Sequence, residues 1–494
     1  MHSDPQESEK VAAGNRRPSR AATPDIDIRA PAGLVWPPSI QTVWREVHLA
    51  PDDADRDRQP RHDGASPPFE GRLRPVRADQ TTVRRANLGI VLRRVAAGPC
   101  SRAEVAADTG LTRGTVSSLV TELVELELVR ETGETAAPRG IGRPGQALEL
   151  ADVVCGIGLE VNVDYVAVLV EDLTGAVRYE HRAYGDNRGA APGPLRGRVV
   201  ETAEAALAAA ADDGLRPAGL SVAVPGLVEQ ATGTVVFAPN LGWHGVPVAD
   251  ELETRLGLSV RVENESNLAA LAEHWTGAAV AIDDFVCVFG EVGVGGGVVL
   301  GGRLYRGTHG FGGEFGHVSV DPGGRRCACG SRGCVETFVG QEAIAAAAGI
   351  PPSGESRGLT DELVRRAAEG SPAVVGALHD AGRWLGVALA STFNVLDLQA
   401  VVLGGCFGPL APWLVDEIRA TLVERSLAAR SGAFTVLPSA FGDGAAVRGA
   451  AALPLHRVLD APWTAMAPAG DAIVLREAVP SSARKAREEV AIGR

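Results

Sequence analysis

The chain has 494 residues, more than one core usually organises, so at least two folded units are expected. Its composition, 45% apolar and 22% charged with 60 glycines, is globular, and no stretch has the length and purity of a membrane span or the character of a signal peptide, which predicts a cytoplasmic protein. The formal net charge of −13 excludes a protein that coats nucleic acid along its whole surface but leaves room for a small DNA-binding module.

Residues 1–80 are rich in Pro, Arg, Asp and Ser without sustained periodicity and read as a mostly disordered extension, an over-long chain start being the alternative. From Arg84 the pattern turns helical: Leu88, Val91, Leu92 and Val95 form one apolar stripe that ends at Gly98-Pro99. A second helix opens on Ser101 and Glu104, spaced as a capping box, and stops at Thr109-Gly110. Thr112 can cap a third helix, whose Val116, Leu119, Val120 and Leu123 repeat the stripe, and short extended segments follow around a loop with Gly133, Pro138, Gly140 and Gly142. Three short helices and a hairpin over residues 81–150 describe a winged helix-turn-helix.

The stripe of the third helix would lock onto the first two and turn Thr112, Arg113, Thr115, Ser117 and Ser118 towards a major groove, where hydroxyls and a guanidinium can bond phosphates or base edges. Arg139 and Arg143 in the wing would grip the flanking backbone or minor groove. Residues 81–150 carry nine Arg against eight acidic residues, and the whole chain has lysine only at Lys10 and Lys485, so arginine must make nearly every phosphate contact. A protein-binding tri-helical adaptor would share the helix pattern; the hydroxyl-rich face and basic wing favour double-stranded DNA.

Beyond Ala151 β-rich and Ala-rich helical runs alternate, as in Val153–Val170, Arg198–Ala211, Gly219–Val224 and Leu268–Trp275, which predicts an α/β domain over residues 151–460. Two glycine-punctuated strand pairs, at 153–170 and 285–300, start its halves and suggest a duplicated two-lobe architecture. Residues 461–494 are weakly patterned and read as a loose tail.

Within the second half, His317 is followed by Cys327-Ala-Cys329-Gly-Ser-Arg-Gly-Cys334. One imidazole and three thiolates make a closed tetrahedral set suited to structural Zn2+, and the glycines sit where a tight loop must wrap a metal. Folding that loop would fix Glu314 and Glu336, and such carboxylates with amides such as Asn240 and Asn264 are the usual readers of sugar hydroxyls.

With the cysteine motif, Gly-Phe-Gly-Gly-Glu-Phe-Gly-His at 310–317 resembles the signature of the ROK family of repressors, open reading frames and sugar kinases. The likeness extends through Val-Pro-Gly at 224–226, Pro-Asn at 239–240, Glu-Asn-Glu-Ser-Asn at 263–267 and Gly-Val-Gly-Gly-Gly at 293–297, and covers roughly residues 81–455. It implies an actin-like, RNase-H-like two-lobe ATPase domain behind the winged helix-turn-helix, as in the xylose-repressor-like branch. By that resemblance Asn240, Asn264, Glu314, His317 and Glu336 contact sugar, while His317, Cys327, Cys329 and Cys334 hold zinc.

Two departures from the kinase pattern point away from phosphoryl transfer. Gly158 stands where the family kinases have aspartate, with Glu160-Val161 replacing their paired glycines, and Glu265 stands at the catalytic aspartate position, where a carboxylate one methylene longer is displaced. Val292 stands where the kinases commonly keep a hydroxyl. The reading is therefore a sugar-responsive repressor acting on an inverted-repeat operator as a homodimer or dimer of dimers, with Glu265 vestigial beside the sugar. The alternatives are a sugar kinase with an attached regulatory domain, and an architectural DNA-binding protein carrying a ligand-free relic.

Overall fold

The computed structural model describes residues 79–135, 146–189, 192–351 and 358–466. The expected extension at 1–78, the tail beyond 466, and the wing residues Arg139 and Arg143 lie outside the described residues.

The local signals of the first module are realised at the positions where the physics is local. Helix α1 (Gln80–Ala96) is capped by Asp79, whose carboxylate accepts from the Thr82 amide at 2.6 Å. Strand β1 (Cys100–Ser101) leads into α2 (Arg102–Thr109), which opens on the reciprocal Ser101–Glu104 capping box and ends at Gly110 in the left-handed conformation, φ 73°. Helix α3 (Arg113–Glu125) is capped by Thr112. Strands β2 (Val129–Thr135) and β3 (Gln146–Leu150) complete the sheet in the order β1-β3-β2, all antiparallel. Leu88, Val91, Leu92, Val95, Val116, Leu119, Val120 and Leu123 are buried together, each such aliphatic side chain contributing about 1.5–3 kcal/mol relative to exposure.

The rest is a duplication. In the first lobe β4 (Val154–Val161), β5 (Tyr165–Asp172) and β6 (Val177–Tyr184) form an antiparallel meander, joined in parallel by β7 (Arg216–Val224) and β11 (Val260–Asn264) in the order β11-β7-β4-β5-β6. Helix α4 (Pro192–Asp212) covers this sheet, a three-stranded flap of β8 (Leu227–Glu229), β9 (Thr234–Ala238) and β10 (Trp243–Val246) sits beside it, and α5 (Val248–Leu256) precedes β11. Helix α6 (Glu265–Thr276) leads into the second lobe. There β12 (Phe285–Gly290), β13 (Val294–Leu300), β14 (Arg303–Leu304), β15 (Ala400–Gly405) and β16 (Thr435–Pro438) repeat the plan as β14-β13-β12-β15-β16. Its helices are α7 (Glu336–Val339), α8 (Gln341–Ala347), α9 (Leu359–Ala368), α10 (Pro372–Leu396) and α11 (Phe407–Arg425). Both lobes thus have a meander followed by two parallel strands, the actin-like, RNase-H-like plan, with a module of three helices and a small antiparallel sheet ahead of it.

The last α-helix among the described residues, α12 (Ala445–Asp460), belongs to neither lobe alone. Its Ala445, Ala446 and Ala450 pack with Leu268 and Ala269 of α6 and Phe289 of β12, whereas its Leu455 and Val458 enter the core of the first module. Close approach is bought with glycine: a Cβ on Gly89 of α1 would lie 2.7 Å from the carbonyl oxygen of Asp460. Gly89→Ala is therefore expected to lower the melting temperature although alanine adds about 1 kcal/mol of helix propensity. A variant melting at or above wild type would refute this contact.

Candidate functional site

On the first module Thr112, Arg113, Ser117 and Ser118 are exposed on one face of α3, with Thr115 half-buried beside them. Their hydroxyls are already engaged. Thr112 and Thr115 share a hydrogen bond of 2.9 Å, and two arginines from the neighbouring helices reach across. Arg84 of α1 donates to Ser118 Oγ at 3.2 Å and to Glu122, and Arg102 of α2 donates to the Ser117 carbonyl at 2.8 Å, to its Oγ at 3.2 Å and to Glu131. Sequence reading missed both arginines, since only the packing of three helices brings them to α3. Being half exposed, their ion pairs are individually weak and can be exchanged for phosphate oxygens.

In the second lobe His317, Cys327, Cys329 and Cys334 present ligand atoms that all lie within 4.8 Å of one another. His317 Nδ1 is 3.7 Å from Cys327 Sγ, and Cys329 Sγ is 3.7 Å from Cys334 Sγ. A tetrahedron of Zn–S bonds about 2.3 Å long has edges of about 3.8 Å, so the donor set fits zinc. The loop is drawn tight by Cys327 N–H to Ser331 O, 2.9 Å, and by Gly333, whose φ of 66° and backbone contact with Asp321 leave no room for a side chain.

The predicted sugar residues converge beside this cluster. His317 turns Nδ1 to the cysteines and Nε2 towards Glu314 Oε2, 3.8 Å away. Glu336 has Oε1 at 3.5 Å from Cys327 Sγ and accepts the Val294 amide on Oε2 at 3.2 Å. A Cβ on Gly293 would lie 2.7 Å from Glu336 Oε2 and 3.9 Å from Asn240 Nδ2, so this turn brings the amide and the carboxylate together. Asn264 is placed differently from a free reader of hydroxyls. Its Oδ1 caps α6 by accepting from Ser266 and Asn267 amides, and its Nδ2 donates to the Gly226 carbonyl at 3.0 Å, which leaves one amide hydrogen to offer.

Beneath lies a buried acidic floor that no motif announced as a group. Glu160 of β4 is wholly buried, accepts from Tyr165 Oη at 2.7 Å, and leaves Oε2 without a partner. Burial pushes its carboxyl up to about 7, against the opposing pull of the Tyr165 hydroxyl and the Arg182 guanidinium. Glu291, in the turn after β12, accepts from Asn162 Nδ2 and is pushed up to about 8 by burial and then by Glu160. Glu265 at the start of α6 has a sequestered, unpartnered Oε2, and burial, then Glu291, Glu160 and Glu314, hold its carboxyl well above the usual range. Each of these carboxyls is therefore harder to ionise than an ordinary one, which weakens it as a general base.

A continuous line of contacts leads away from this floor. Helix α6 starts at Asn264 and Glu265 and ends near Trp275, whose ring stacks on His456 of α12 at 3.6 Å between centroids and 12° between planes. Burial, then Arg93 and His274, lower His456 to about 4, so the stacked ring is neutral. One turn on, Asp460 pairs with Arg93 of α1, and Arg85 of α1 lies over the Trp463 ring.

Comparison with known proteins sets this geometry in context. The model of the ROK family matches residues 156–457. The chain is 28% identical over 384 residues to the xylose repressor of Bacillus subtilis, covering 78% of this chain and 98% of that protein. It is 29% identical over 278 residues to the glucokinase of Streptomyces coelicolor, covering 53% of this chain and 85% of that protein. Among solved structures, a ROK family transcriptional regulator, a homologue of the Escherichia coli MLC protein, superposes with a TM-score of 0.66 at 26% identity over 78% of this chain and 99% of its own. A ROK family glucokinase from Streptomyces griseus, in complex with glucose and AMPPNP, gives 0.52 at 29% identity over 60% of this chain and 98% of its own.

Proposed function

The chain belongs to the ROK family, and from that premise we propose that it is a sugar-responsive DNA-binding transcriptional regulator, a repressor of genes for carbohydrate use, whose kinase-type domain senses sugar without phosphorylating it. The observation that carries this is the line of contacts from cleft to DNA-binding module: α6, capped by a residue of the sugar cluster, stacks through Trp275 on α12, which is docked on α1. A sugar that changes the setting of α6 thereby has a mechanical route to the orientation of α3.

The proposed division assigns residues 81–150 to DNA and residues 151–460 to sugar. Asn240, Glu314, His317 and Glu336 bind the hydroxyls, with Glu265 on the floor of the same cleft and Asn264 capping α6 beside it. His317, Cys327, Cys329 and Cys334 hold zinc, which braces the loop as a structural ion, and His317 offers its other ring nitrogen towards Glu314 and the sugar. Against phosphoryl transfer stand Glu160 and Glu291, which line the cleft floor and offer a triphosphate no cation, and Glu265, whose carboxyl is held well above the usual range by burial, then by Glu291, Glu160 and Glu314. Because one helix-turn-helix reads a short half-site, the acting species is a homodimer or dimer of dimers on an inverted repeat, in the cytoplasm where the operator lies.

The test is binding of the purified protein to its own promoter region, measured by fluorescence anisotropy with and without a panel of sugars, alongside an ATP-coupled phosphorylation assay. One sugar should change affinity at least about tenfold, equivalent to 1.4 kcal/mol of coupling. Phosphorylation of any hexose or pentose at enzymatic rates, or indifference of DNA binding to every sugar, overturns the proposal. Within this assay Arg113→Ala is expected to cost about 1–3 kcal/mol and relax preference at one operator position, whereas Arg102→Ala and Arg143→Ala weaken all sequences alike and flatten the salt dependence. Arg113→Ala that leaves affinity unchanged would remove α3 as the reading helix.

A further inference from the structure

A hydrogen bond between side chains that the sugar reading does not use crosses the cleft floor, in addition to the Arg306–Glu263 ion pair at 2.8 Å that also links the lobes. Asn162, just after β4 of the first lobe, donates to Glu291, just after β12 of the second. Around this bond stand Glu160 and Glu265, each with one oxygen sequestered from solvent and without a donor. Two buried acceptors without donors cost free energy, unless a carboxyl proton converts one of them into a donor. We propose that Glu160, Glu265 and Glu291 form a proton-held latch across the cleft, closed while the three carboxyls share protons and parted when they ionise.

The surroundings supply little countercharge. Glu160 faces Tyr165 of β5, the Arg182 guanidinium of β6, Asp443 before α12, and the first backbone amides of α12 near Val447. Arg182 is itself committed to Asp443 at 2.7 Å and lies over the Tyr165 ring at 4.3 Å. Glu291 faces Glu160, Asn162, Asp443 and Asp164, the last already paired with Arg188 at 2.8 Å, and the buried Cys406 thiol stands nearby. Glu265 faces Glu291, Glu160 and Glu314. Among the described residues no lysine exists to compensate a third negative charge.

The sign follows from linkage. A carboxyl raised in the closed form holds more protons there than in an open, solvated form, so closure is favoured fully below the ordinary carboxylate pKa of 4.5 and is lost as pH rises through about 7 for Glu160 and about 8 for Glu291. Alkaline conditions therefore part the lobes, and acid conditions seal them.

Small-angle scattering and thermal melting of the ligand-free full chain between about pH 6 and about pH 9 test this, with Glu160→Gln, Glu291→Gln and Asn162→Asp as variants. Wild type should expand and lose more than about 5 °C of melting temperature across the range, and each glutamine variant should lose much of that pH dependence. Asn162→Asp, which replaces the donor by a fourth carboxylate, should move the expansion to lower pH by about one unit. If Glu160→Gln does not fold, Glu291→Gln and Asn162→Asp, at less buried positions, still decide. Profiles of these variants that superimpose on wild type overturn the latch. No sugar or DNA is needed, so this outcome is independent of the regulator assignment.

Discussion

Gly158→Asp is expected to cost the protein its fold rather than revive phosphoryl transfer. Aspartate is the residue that the kinase turn carries at this position, so the change looks like a repair. The structure gives it no space. A Cβ at Gly158 would overlap the Val447 carbonyl oxygen and the Ala451 nitrogen and lie 3.0 Å from the Ala450 carbonyl carbon, all main-chain atoms of α12 that cannot rotate aside. Overpacking against backbone costs about 1–3 kcal/mol or more, and the new carboxylate would stand on the strand that also carries buried Glu160. Denaturant unfolding and an ATP-coupled assay on the soluble variant decide it, with Gly158→Ala as the milder comparison. A Gly158→Asp protein as stable as wild type, or one that phosphorylates sugar, would show that α12 yields and that the cleft is a kinase site in waiting.

Cys327→Ala should lose zinc, thermal stability and the sugar response together. Cys327 is buried and stands between His317 Nδ1 and Glu336 Oε1, so one thiolate ties the metal set to two of the proposed sugar residues. Zinc binding to small folded sites is worth about 10–16 kcal/mol and is inseparable from folding the loop, so removing one of four ligands should bring metal content below stoichiometry and lower the melting temperature by many degrees. Metal analysis and thermal melting report this without any activity. If purified wild type holds no zinc while its sugar response persists, the loop is organised by its hydrogen bonds alone. Cys329→Ala should act in the same direction, since Cys329 and Cys334 form the opposite edge of the donor set.

The parts of this molecule that were legible in the sequence are those whose physics is local. The Ser101–Glu104 box and the Thr112 cap declare themselves within four residues because the cap bonds its own helix, and the stripe Leu88, Val91, Leu92 and Val95 is a statement about one helix face. The strand pairs at 153–170 and 285–300 were readable for the same reason, and they do begin two lobes of like topology. What stayed hidden depends on sheet order. Glu160 and Glu291 are brought together because β4 and β12 are the central strands of duplicated sheets facing one cleft, and nothing near Glu291 in sequence signals that. Arg84 and Arg102 needed the tertiary packing of three helices before they could meet Ser118 and Ser117. Asn264 was named from the sequence as a sugar contact, whereas its role as the cap of α6 appears only once the helix is seen to begin there.

Helix α12 has a consequence in time. It lies against β4, β5, α6 and α1, elements spread over most of the described residues, yet among those residues it is the last α-helix to be made. During synthesis the first module, bounded by its own capped helices, can form early, while Gly89 and Arg93 wait for Asp460 and Leu88 waits for Val458. Contacts between such distant stretches make docking slow compared with folding of the module itself. A nascent or clipped chain lacking Ala445–Asp460 would then carry a formed three-helix module uncoupled from the two lobes, so the joining of module and lobes follows the folding of the module itself.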